Sequence, residues 1–103
     1  MGHEHAKPGV VIDLNVFGEN KSTALVKESK FEVIRMVVEA GKSIPPHKVD
    51  GPISVQCLVG ECTFFVEQEP RKLFPGSWLY LPADTIHSIE SKEKTILLVT
   101  ILL

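Results

Sequence analysis

The chain has 103 residues, enough for one domain with its own core and too few for two. Apolar residues make up 44% and charged residues 23%, a balance that excludes a disordered chain, a collagen-like repeat or a disulfide scaffold. The net charge of -2, with no basic stripe, argues against a nucleic-acid backbone as partner.

The chain opens on Met1-Gly-His-Glu-His5, which lacks the apolar run of a secretory signal. Residues 1–8 are expected to form a flexible tail before a single domain at 9–103. His3 and His5 make a short histidine tract of a kind that chelates copper or nickel, although a tail without a role is the plainer reading. Without an export signal, the expected location is the cytoplasm, where Cys57 and Cys62 stay reduced.

Strand chemistry then dominates. Residues 10–15 and 22–27 are short extended segments, and 31–39 is a longer one rich in β-branched side chains. Residues 53–59 and 62–67 flank Gly60-Glu61, the pattern of a tight hairpin. On that pairing Cys57 and Cys62 become cross-strand neighbours, either a redox disulfide or, more plainly, two buried inert thiols. Further strands are expected at 71–74, 77–81, 87–91 and 95–103. Turn signals about 8–15 residues apart, with no clean helical period, predict an all-β sandwich or barrel of at least eight strands. The last strand is the most apolar run. It has nine residues where a membrane helix needs about 20, so no membrane span is expected.

Two of the four histidines stand beside turn residues at strand ends. His47 follows Gly41 after five residues. The same frame puts Val49 two residues later, then Ile53, then Gly60. His87 lies in a second frame of Gly76, Pro82, Asp84, His87 and Ser91. Together these spacings resemble the two motifs of the cupin family, most closely over residues 31–103. The resemblance implies a small antiparallel jelly-roll β-barrel. It also implies a metal centre of three histidines and a glutamate, of which only His47 and His87 are present. Val49 stands in place of a histidine, Ile53 in place of the glutamate, Asp84 in place of a glycine and Ser91 in place of an asparagine. Asp tolerates the left-handed backbone of a turn glycine.

A divalent transition metal, weakly held by His47 and His87, is therefore one expectation. A third donor would come from Asp50, Gln56 or Cys57. The other expectation is a metal-free pocket, lined by His47, Val49, Ile53, Val55, Cys57, Trp78, Tyr80 and His87, that binds a small molecule. Alternation places Ile53, Val55 and Cys57 on one face, and Trp78 and Tyr80 together on a face of their own strand. Core packing is the plainer reading of those two aromatics. The competing functions are a small-molecule binder, a metal-dependent dioxygenase, decarboxylase or isomerase, and a non-catalytic dimeric interaction module. A homodimer is expected because alternation turns half of residues 95–103 outward, where an apolar strand needs cover. The interface would use outward side chains of 31–38 or 96–102, with Val10, Val11, Ile12 and Phe17 as part of that cover.

Overall fold

Runs of Val, Ile, Leu and Thr with a period of two form strands along most of the chain in the computed structural model, which describes residues 5–103. The strands are β1 Thr23–Lys27, β2 Phe31–Val38, β3 Ser43–His47, β4 Ile53–Val59, β5 Cys62–Val66, β6 Glu69–Leu73, β7 Trp78–Leu81, β8 His87–Ser91 and β9 Thr95–Leu102. Among the described residues there is no helix. One sheet has the order β1-β2-β9-β4-β7 and the other β3-β8-β5-β6, every pair antiparallel. Val55, Cys57, Leu97 and Val99 from the first sheet meet Cys62, Phe64, Leu73 and Ile89 from the second in one core. The result is an all-β jelly-roll barrel.

Three local expectations change. Residues 10–15 form no strand: 10–13 are irregular and a run of turns starts at Leu14. The Asp13 side chain accepts from the Asn15 amide at 2.9 Å, and its carbonyl accepts from Val16 and Phe17. Here the turn chemistry of Asp and Asn outweighs the β-branched residues before it. Strand β3 was not expected, because Pro45 and Pro46 interrupt it. It lies at a sheet edge, and the two prolines fall where its ladder with β8 shifts register between Ile44 and His47.

The third change is at Gly60-Glu61. These residues do not close a hairpin, because β4 belongs to one sheet and β5 to the other. Gly60 carries the chain between sheets at φ +78°, and a Cβ there would collide with the Lys94 carbonyl. Cys57 and Cys62 are therefore not cross-strand partners. Both are buried free thiols, and burial pushes Cys62 up to about 11.

The tight hairpin is β5–β6 instead, with Val66 opposite Glu69 and a two-residue loop between. Glu67 and Gln68 both take positive φ, 50° and 75°, the mark of a type I′ turn. Neither residue suits it. Glu67→Asn with Gln68→Gly should raise stability by about 1–2 kcal/mol. The urea midpoint should rise with an unchanged denaturant slope.

A charged residue organises the outer face of the five-stranded sheet. Arg35 is 0% exposed. Its Nε donates to the Leu14 carbonyl at 2.6 Å, Nη1 to Glu19 at 2.9 Å and Nη2 to Asn15 at 3.1 Å. Residues 13–20 are thereby tied across β2 as a strap. Burial pushes the guanidinium pKa down, and Asp13 works in the other direction. The strap is tied again where the Lys94 ammonium meets the Asn20 side chain.

Candidate functional site

The two histidines that the motif frames single out are direct partners across β3 and β8. Opposed residues in an antiparallel pair project to the same face. Their rings lie 4.3 Å apart between centroids, tilted by 58°. His47 is exposed at the barrel mouth, whereas His87 is 6% exposed and deeper. Phe64 stacks on His87, with centroids 5.5 Å apart and planes 6° from parallel.

Both rings are fixed by backbone carbonyls. Nδ1 of His47 lies 3.0 Å from the Pro45 carbonyl, and Nδ1 of His87 lies 2.9 Å from that of Thr85. A carbonyl only accepts, so Nδ1 carries the proton in each ring. In the neutral imidazole Nε2 then keeps its lone pair. Asp84 helps hold the loop before His87: it takes φ 64°, the left-handed backbone expected of it, and its amide donates to the Val49 carbonyl at 2.8 Å.

Beneath the histidines lies a cavity of about 120 Å³. Its eleven lining residues are the two histidines and nine apolar ones. Val49, Ile53 and Val55 are among them, so five of the expected pocket residues meet around one space. Ile34, Met36, Phe64, Ile89, Val99 and Ile101 complete the lining and were not singled out from the sequence. Their signal was available only as alternation along β2, β5, β8 and β9.

Three expected pocket residues lie elsewhere. Trp78 and Tyr80 are 62% and 60% exposed on the outer face of the sheet, because Leu81 on the opposite face of β7 takes the core position. Cys57 faces inward as alternation predicts, but four residues along β4 from Ile53, about 13 Å deeper. There its thiol donates to the Gly60 carbonyl at 3.2 Å, at the closed end of the barrel. The same end holds a buried polar pair, Ser91 and Thr95, with hydroxyls 2.9 Å apart. Thr95 also reaches the Glu61 carbonyl at 3.0 Å.

Among the described residues no third donor joins the imidazoles. Gln56 points outward and Asp50 is exposed in the loop after β3. Among the described residues no group of three or more His, Cys, Asp or Glu side chains stands close enough to hold a metal. Val49 and Ile53 bring carbon where a nitrogen and a carboxylate would be needed, so the donor set does not fit the four-ligand centre that the motifs imply. His5 of the expected chelating tract is exposed, and His3 lies outside the described residues.

Burial lowers the pKa of His87, and the nearby His47 adds to this, against a raising contribution from the Thr85 hydrogen bond. The sign of the stability effect follows. Above the ordinary value of 6.5, His87 is neutral whether folded or unfolded and stability is full. Below it the unfolded chain protonates first, so stability is lost as pH falls from 6.5 toward the lower folded value. The melting temperature should drop between pH 7.5 and 5.5, and His87→Gln should flatten that dependence.

No protein-family model matches the chain, and no curated protein does. Solved structures do. A cupin superfamily protein from Desulfitobacterium hafniense is similar with a TM-score of 0.76 at 24% identity, over 80% of this chain and 75% of that one. A protein of unknown function from Streptococcus pyogenes gives 0.82 at 21% identity, over 99% and 95%. A cupin 2 conserved barrel domain protein from Leptotrichia buccalis gives 0.76 at 29% identity, over 80% of this chain but only 40% of its own length. These likenesses show the fold. Among the described residues no helix is long and apolar enough to cross a membrane.

Proposed function

We propose that this protein, a small cupin, works as a small-molecule binder, with the ligand in the barrel cavity beneath His47 and His87. The observation that carries this is an apolar cavity with two fixed imidazoles at its rim and, among the described residues, no further donor. A few convergent polar groups over apolar walls are the make-up of a ligand site. The same donor set falls short of a cupin oxygenase or decarboxylase, which would route its chemistry through a fully ligated metal.

Titrating toluene, phenol and benzoate while following methyl resonances tests the reading. At least one probe should shift Ile34, Val55 and Val99, and Val49→Phe should abolish the shifts by filling the space. Silence of these methyls to all three probes would overturn it.

We also propose a homodimer through the outer face of β4, β7 and β9. Trp78, Tyr80 and Leu102 are exposed there, the last by 50%. The strap covers the other half of this sheet near Arg35, which leaves this half for a second copy. Light scattering that gives the monomer mass at every micromolar concentration would refute it.

A further inference from the structure

Among the described residues the two imidazoles are the only polar side chains lining the cavity, and their protons are already spent on backbone carbonyls. With Nδ1 donating to its carbonyl, each ring in the neutral form can only accept through Nε2. Among the described residues no Lys or Arg lines the space to balance an anion. An anionic head would therefore meet two lone pairs and apolar wall, and would lose its hydration for nothing. A purely apolar ligand would bury the Nε2 of His87 without a partner. A ligand that brings its own proton satisfies the site.

Size narrows the class further. Apolar cavities of about 150 Å³ hold benzene, so a space of about 120 Å³ that opens past the exposed His47 suits a single ring or a short branched chain. Phe64 leaves the inner face of His87 occupied by its stack, so the ligand meets that ring at its edge.

We infer that the cavity takes a small neutral molecule with an apolar body and one hydrogen-bond-donating head, an alcohol or a phenol, held by the lone pairs of His47 and His87. This rests on the reading that the cavity binds a small molecule at all. It adds which chemistry is admitted: a donor head is accepted, while a carboxylate of the same size is rejected.

The test compares phenol, toluene and benzoate on the full chain at pH 7.5, by methyl shifts and calorimetry. Phenol should bind about five- to tenfold more tightly than toluene, the worth of one hydrogen bond, and benzoate should bind most weakly. His87→Leu should erase the preference for phenol while toluene still binds. His47→Leu, at an exposed position, provides the same comparison should the His87 variant fail to fold. If toluene matches phenol, or benzoate binds best, the inference is overturned while the binding function stands. If no probe shifts the cavity methyls, the binding function itself falls.

Discussion

Arg35→Met should lower the unfolding free energy by about 2–4 kcal/mol and release residues 13–20 to protease. Hydrogen bonds from a charged donor contribute roughly 1.5–3 kcal/mol each, and Arg35 makes three, all to carbonyls of the strap. Methionine fills much of the volume and needs no hydration, which offsets part of the loss. The carbonyls of Leu14, Asn15 and Glu19 find water only if the strap lifts. Arg35→Lys keeps the charge but lacks the planar fork, so it should lose nearly as much. Urea denaturation gives the energy, and trypsin cleavage after Lys21 reports the release. A methionine variant as stable as the parent, with Lys21 still protected, would show that the strap is held by other contacts. Ile34 and Met36 flank Arg35 on β2 and line the cavity, so the outer clamp and the inner wall share one strand.

How far the sequence revealed this arrangement differs from residue to residue. Alternation along β4 put Ile53 and Val55 on the right face because one side of that strand is buried. In β7, alternation paired Trp78 with Tyr80 correctly but carried no sign for which face is inside. That depends on Leu79 and Leu81 being the side chains that pack on the barrel. Cys57 has the right face and the wrong depth, since a period of two does not say how far along the barrel a residue lies. The spacing of the motifs led to His47 and His87, yet their direct pairing could not be read, because two prolines concealed β3. Arg35 is a charged residue in a mostly apolar strand and was not singled out. Its burial is decided by three carbonyls 16 to 21 residues away, and no local pattern records that.

Val49→His combined with Ile53→Glu should convert the barrel cavity into a metal site. Both side chains line the same space as His47 and His87, so the substitutions add an imidazole and a carboxylate to two imidazoles already fixed by their Nδ1 hydrogen bonds. Affinity for Zn²⁺ or Ni²⁺ should rise at least about 100-fold over the parent, as two weak ligands become four. The parent carries the same His3 and His5, so their contribution cancels in the comparison. Without metal the variant should be less stable by about 2–4 kcal/mol, because Ile53 is buried and a carboxylate there has no partner. Metal should restore the lost melting temperature, since binding to the folded state alone is folding free energy. His87→Ala in that background should remove most of the gain. An apo variant that melts low and is not rescued by either metal would mean that Val49 and Ile53 line the cavity without converging on the histidine pair.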